Sequence, residues 1–163
     1  MGFPTAVRLP SIIPPYILRA IARNGTPQQR DWALRTLALD ATMRSLRQGP
    51  WVWHEGMQLA APQKRRSVYD AKGSQSLPGT LVRKEGDQAS ADKAVDEAYD
   101  GLGATYDFYH DLFGRDSIDG KGLALQATVH FGNRYNNAFW NGTQMVFGDG
   151  DGVYFNRFTV SLD

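Results

Sequence analysis

Apolar residues recur at helical spacing in the first third of the chain. Pro14-Pro15 suits a first helical turn, and Tyr16, Ile17, Ile21 and Ala22 follow before a stop at Asn24-Gly25. Thr26-Pro27-Gln28-Gln29 reads as a capping box that opens a second helix. Its apolar positions are Ala33, Leu34, Leu37, Ala38, Ala41 and Leu46, and Gly49-Pro50 ends it. The pattern predicts a helical hairpin over Ile12 to Gln48. Such short helices are marginal alone and must dock on something.

The pattern then changes. Residues 51–67 show no sustained period, which predicts a linker and processing region despite Trp51 and Trp53. From Val68 onward, strand and turn segments alternate, with Ser76-Leu77-Pro78-Gly79 as a turn. Ser90 is the predicted cap of a long helix carrying Ala91, Ala94, Val95, Ala98, Leu102, Tyr106 and Tyr109 and ending near Phe113-Gly114. Leu123, Leu125, Ala127, Val129 and Phe131 alternate with Gln126, Thr128 and His130, as in a half-buried strand. The fold class that follows is α+β: a helical hairpin, then a mostly antiparallel sheet with one long helix packed on it. Three units are expected, at 1–50, 51–67 and 68–163.

The stretch Tyr135 to Gly152, YNNAFWNGTQMVFGDGDG, concentrates amides, aromatics and glycines. If it is extended, Ala138 and Trp140 face one way, and Asn137, Phe139 and Asn141 the other. An edge strand offers unpaired N–H and C=O groups to an incoming peptide. An asparagine carboxamide carries a donor and an acceptor and can pair with a peptide unit. The same residues also fit a hairpin with aromatic core side chains and glycine-aspartate turns.

Composition narrows the function classes. The 163 residues are 42% hydrophobic and 21% charged, enough for one core. A net charge of +1 gives no nucleic-acid or membrane-surface signal. The one basic cluster, Lys64-Arg65-Arg66, reads as a solvated loop. There is no cysteine. No apolar run approaches the roughly 20 residues that cross a bilayer. Prolines at 4, 10, 14 and 15, with Arg8, interrupt the N-terminal stretch, so no signal peptide is recognisable. Localisation stays open between secreted and cytoplasmic.

Metal chemistry finds little support in the residues alone. His54, His110 and His130 have no histidine partner at helical ligand spacing, and each reads as structural. Gly148-Asp149-Gly150-Asp151-Gly152 resembles the start of a calcium loop but lacks its twelve-residue frame, so a tight turn is expected. Asp116 and Asp119 are read the same way.

Several blocks occur in order: Val68-Tyr-Asp-Ala, Ser76-Leu-Pro-Gly-Thr80, Val95-Asp-Glu-Ala-Tyr99, Gly103-Ala-Thr-Tyr-Asp107, Tyr135-Asn-Asn-Ala-Phe-Trp-Asn-Gly142 and Gln144-Met-Val-Phe-Gly-Asp-Gly-Asp-Gly152. Together they resemble the N-terminal half of the thermolysin family of zinc metalloendopeptidases, or neutral proteases. Ile13-Pro-Pro-Tyr-Ile-Leu18 with the helices after it is similar to a protealysin-type propeptide. The resemblance implies a zymogen whose parent binds zinc and calcium, takes peptide or protein substrates, and cleaves on the amino side of apolar residues. It implies substrate binding by Asn137, Ala138, Phe139, Trp140, Phe155 and Phe158. Pro14, Pro15 and Tyr16 match the segment that holds the precursor inactive, and Asp163 matches a calcium ligand. Phe158 departs from the smaller aliphatic residue usual at its position, so the pocket is expected to be reshaped. The family's His-Glu-x-x-His zinc motif belongs after Asp163 and does not occur in these residues. This chain alone is therefore expected to have no catalytic residue, no zinc ligand and no activity, and to need the C-terminal half as partner. The alternatives are a non-catalytic peptide- or protease-binding module and, further off, a carbohydrate binder stacking sugars on Phe139 and Trp140. Neither nucleic acid nor membrane is an expected partner.

Overall fold

The computed structural model describes residues 11–46 and 62–160. Trp51, Trp53, His54, the Gly49-Pro50 stop, most of the expected processing region and Asp163 lie outside the described residues.

Helix α1 spans Pro15–Asn24, with Pro14 as its N-cap. Helix α2 spans Pro27–Leu46. The capping box forms as the sequence predicts. Thr26 N–H donates to Gln29 Oε1 at 2.8 Å, and Gln29 N–H donates to Thr26 Oγ1 at 3.4 Å. The expected apolar stripe is only partly the docked face of α2. Ala33 is buried, but Leu34 is 52% exposed, while Thr36 and Asp40 are buried. The face that packs mixes polar and apolar side chains, and a search for apolar periodicity does not register such a face.

Strand β1 is Arg66–Asp70, β2 is Thr80–Lys84, and helix α3 is Lys93–Phe113. Strand β3 is Leu125–Val129, β4 is Ala138–Trp140 and β5 is Met145–Phe147. Strand β1 begins at Arg66, inside the segment expected to be linker. The cap of α3 is Asp92, whose side chain accepts from Ala94 N–H at 2.9 Å; Ser90 Oγ instead accepts from Asp92 N–H at 3.1 Å. Both residues suit the position, but only Asp92 sits at the first turn.

The five strands form one sheet in the order β2-β1-β3-β5-β4. It is mixed rather than mostly antiparallel. The outer pairs β1–β2 and β4–β5 are antiparallel, while β1–β3 and β3–β5 are parallel. The cause is α3. A helical crossover between β2 and β3 returns the chain to the starting edge, so β3 runs alongside β1 in the same direction.

The sheet buries both faces. Helix α3 covers one through Val95, Ala98, Leu102 and Tyr106, against Leu125, Ala127, Val129, Ala138 and Phe147. On the other face, Phe131, Tyr135, Phe139 and Val146 cluster with Leu39 and Met43 of α2. Strand β3 is accordingly more than half-buried. Thr128 is enclosed, donating to Pro78 O at 2.8 Å and accepting from Gln144 Nε2 at 2.7 Å. His130 adopts φ 54, which breaks the alternation after β3. Phe131 thereby joins the second cluster instead of continuing the row of Val129.

The Lys64-Arg65-Arg66 cluster is used internally. Lys64 pairs with Asp107, Arg65 donates to Gly122 O, and Arg66 forks onto Glu85 and reaches Tyr99. The Glu85 bond raises the Arg66 guanidinium above its ordinary value, with burial opposing. Each cation holds the sheet domain together, so the segment is more than a solvated loop.

A candidate peptide-binding edge

Strand β4 is the sheet's edge, and an extended segment already lies along its open side. Ser11 bridges Phe139 in antiparallel sense, and Ile12 N–H donates to Ala138 O at 2.9 Å. Ile13 N–H donates to Asn137 Oδ1 at 2.8 Å, and Asn137 Nδ2 returns a bond to Ile13 O at 3.2 Å. The carboxamide thus pairs with both polar groups of one residue, as a neighbouring strand would. Asn137 Oδ1 also accepts from Ala138 N–H at 2.9 Å, and Nδ2 also donates to Asp40 Oδ2 at 2.9 Å. Reversing the amide would set its NH2 against two N–H donors, so this network fixes its orientation.

The alternation expected for this strand holds. Ala138 joins the cluster under α3, and Trp140 lines a mostly apolar cleft of about 230 Å³ with Leu102, Ile118 and Met145. Phe139 points to the opposite face and meets Phe131 and Tyr135 edge-on at 5.7 and 6.0 Å between ring centroids. It is therefore both an edge residue and a core residue. The amides and aromatics serve an edge and a hairpin core at once.

The residues of the N-terminal segment on the strand are Ser11, Ile12 and Ile13, immediately before Pro14-Pro15-Tyr16. Pro14 keeps an extended backbone, φ −65 and ψ 145, and Pro15 begins α1. Tyr16 is 69% exposed. Phe155 and Phe158 meet in a tilted arrangement, with ring centroids 5.8 Å apart, in the loop after the glycine-aspartate run, and Phe158 also packs against the α3-side core. Asn137, Ala138 and Phe139 are thus brought together with the extended segment, while Trp140 opens to the other side of the sheet.

The loop before the strand is held from several directions. Tyr135 O–H donates to Asp40 Oδ1, and Asn136 N–H donates to Thr36 Oγ1 at 3.1 Å. Asn136 Nδ2 donates to Asp151 Oδ2 at 2.8 Å. Arg134 lies over the Trp32 ring at 4.5 Å and donates to Asp151 O at 2.8 Å. Gly148 permits the closest approach: a Cβ there would sit 2.1 Å from Tyr135 O. Sequence reading did not find Trp32, Thr36 or Asp40. The polar i, i+4 pair Thr36 and Asp40 was the only available signal.

The glycine-aspartate run forms turns. Asp151 Oδ1 accepts from Val153 and Tyr154 N–H at 2.8 Å and from Phe155 N–H at 3.1 Å. Burial pushes its carboxyl up, but these bonds and Asn136 together leave it below the usual carboxylate range. Gly150 has φ 71, and a Cβ there would meet Phe155 O at 2.3 Å. Asp149 and Asp92 flank His130 at 2.8 Å on either ring nitrogen. The Asp149 bond, against burial and with help from Asp92, raises the imidazole to about 9. His130 is structural in this sense: it ties the start of α3 to the loop. Among the described residues no group of three or more His, Cys, Asp or Glu side chains could hold a metal ion.

A family model for the catalytic domain of thermolysin metallopeptidases matches residues 52–163. The chain belongs to the thermolysin metallopeptidase family. A model of the protealysin propeptide matches residues 10–38, which include the segment on β4 and most of the α1–α2 hairpin. Relatives within reach of this thermolysin-family chain are much longer. An extracellular metalloprotease of Pectobacterium carotovorum subsp. carotovorum is 54% identical over 154 residues, 94% of this chain and 44% of that protein. Protease PrtS of a Photorhabdus strain is 46% identical over 158 residues, 93% of this chain and 42% of that protein. The solved precursor of protealysin, a metalloproteinase from Serratia proteamaculans, superposes with a TM-score of 0.79 at 48% identity, covering 94% of this chain and 42% of that one. The chain thus spans less than half the length of these relatives.

Proposed function

We propose that this chain is the N-terminal portion of a secreted zinc metalloendopeptidase precursor. Residues 1–50 act as its pro-segment, 51–67 as the processing region, and 68–163 as the first part of the peptidase domain. The observation that carries the reading is the pairing of Asn137 and Ala138 with Ile12 and Ile13. A stretched piece of the same chain lies where a peptide substrate would lie, and it uses the edge's own donors and acceptors. The names of the relatives, an extracellular metalloprotease and a metalloproteinase precursor, support it.

In this reading Asn137 and Ala138 align the substrate backbone, and Phe139 and Trp140 support the strand from its two faces. Phe155 and Phe158 border the pocket for the apolar side chain after the cleaved bond. Pro14 and Pro15 stiffen the pro-segment, and with Tyr16 they turn it from the strand into α1. Among the described residues no group of His, Cys, Asp or Glu side chains supplies a zinc site. Zinc binding and catalysis belong to the C-terminal half of the parent, and Asp163 contributes to a calcium site there. The 163-residue chain alone has no peptidase activity.

Reading the gene past Asp163 and expressing the extended protein tests this. The expected result is an in-frame His-Glu-x-x-His motif and casein hydrolysis that a chelator abolishes and zinc restores. A frame without that motif, or hydrolysis by the 163-residue chain itself, overturns the proposal.

A further inference from the structure

We propose that Asp40 of α2 is a positioning residue that couples docking of the helical hairpin to occupation of the edge strand, by fixing the amide of Asn137. The inference rests on reading Ser11–Ile13 as a pro-segment on a substrate edge. It adds a residue outside that segment on which the blockade depends.

Asp40 is 3% exposed and lies in the second helix of the hairpin, far along the chain from the strand-like segment, yet it meets the same asparagine. Its Oδ2 accepts from Asn137 Nδ2 at 2.9 Å, and its Oδ1 accepts from Tyr135 O–H. The first bond presents Asn137 Oδ1 to Ile13 N–H and leaves the second Nδ2 hydrogen for Ile13 O. A buried carboxyl group satisfied by specific donors makes directional bonds whose loss is costly. Tyr135 holds the carboxylate from the other side, so Asp40 does not swing away. Thr36, one turn earlier on the same face, binds Asn136 N–H, and Trp32, another turn back, stacks on Arg134. The hairpin therefore grips Arg134, Tyr135, Asn136 and Asn137 in succession. Of these contacts among the described residues, the one at Asn137 is shared with the extended segment. When α2 leaves, Asn137 keeps Ala138 N–H on Oδ1 but loses the acceptor that holds its Nδ2, and the grip on Ile13 loosens with it. Removal of the helix and clearance of the edge become one event rather than two.

Hydrogen exchange on the full 163-residue chain, resolved to single amides, tests this without any catalysis. In the unaltered chain the Ile12 and Ile13 amides are expected to be protected. If they exchange freely, the pro-segment reading itself falls. In Asp40→Ala, protection at Ile12 and Ile13 is expected to drop about tenfold or more, because a buried donor is stripped of its acceptor. The amides of Ala71 and Phe131, which donate to Val129 O and Phe147 O inside the sheet domain, are expected to change far less. Asp40→Asn keeps an acceptor for Asn137 and offers Tyr135 a donor, so protection at Ile13 stays within about threefold of the original. An equal fall at Ile13 and Phe131, no fall at Ile13, or a loss in Asp40→Asn as large as in Asp40→Ala overturns the coupling and leaves the pro-segment reading standing.

Discussion

Helix α3 packs on the sheet through Val95, Ala98, Leu102 and Tyr106, whereas α2 meets the loop before β4 through Trp32, Thr36 and Asp40. The two helices cover opposite faces of one sheet, yet their chemistry differs. The α3 interface has an apolar centre, where burial is non-directional, with ion pairs such as Arg83–Asp96 at its margin. The α2 interface adds bonds to Tyr135 O–H, Asn136 N–H and Asn137 Nδ2, each with a specific geometry. Water can satisfy those groups once the helix has gone. The contrast fits a permanent core on one side and a detachable cover on the other.

The largest effect that sharpens this contrast is expected in the core. Leu102→Ala removes a side chain buried between α3 and the sheet. It should cost about 2–5 kcal/mol in a denaturant titration. Protection of α3 and sheet amides should fall together, because they share one core. A loss confined to α2 would show that the two faces are not distinct.

A smaller effect is expected at Thr36→Val, which keeps the shape and removes the acceptor for Asn136 N–H. The stranded donor should weaken docking of α2 by about 1–3 kcal/mol. Amide exchange should rise through α2 and at Ile12 and Ile13, with α3 unchanged. Equal loss in both helices would erase the proposed difference.

The smallest effect concerns the join between the regions' supports. His130 sits between Asp92 at the start of α3 and Asp149 in the loop near the edge, and its imidazole is raised to about 9. Burial alone would raise the Asp92 carboxyl, but its bonds to His130 and Ala94 N–H leave it below the usual range. The raised histidine contributes stability that is complete below about 6.5, its unfolded value. That contribution declines as pH climbs, and is gone above about 9. The carboxylates are partly exposed, so solvent screening keeps the gain modest. The denaturation midpoint should therefore drop between these pH values, and His130→Gln should flatten the drop. An unchanged slope in the variant would remove His130 as the cause.

Much of the local structure was legible. The capping box at Thr26 and Gln29, the proline start of α1, and the end of α3 at Phe113 all follow from short-range stereochemistry. The alternation of Ala138, Phe139 and Trp140 follows from the pleat alone. The mixed strand order was not legible, because the parallel neighbours are set by where α3 returns the chain beside β1 and by the chain laying down the edge β4 before β5 fills in beside β3. Nor was the docked face of α2, since polar Thr36 and Asp40 replace the apolar residues that a periodicity search seeks.

By itself the sequence determined most of the helix and strand segments, the starts of α1 and α2, and that residues 137–141 could form an edge strand beside aromatic rings. Those properties depend on residues within one or two turns of each other. Only the tertiary structure decided what fills that edge and what steadies its asparagine. Ile13 and Asn137 are separated by 124 positions, and Asp40 and Asn137 by 97. No local preference encodes such meetings: they arise when α2 and the sheet bury a shared face, and the buried polar groups must then find one another.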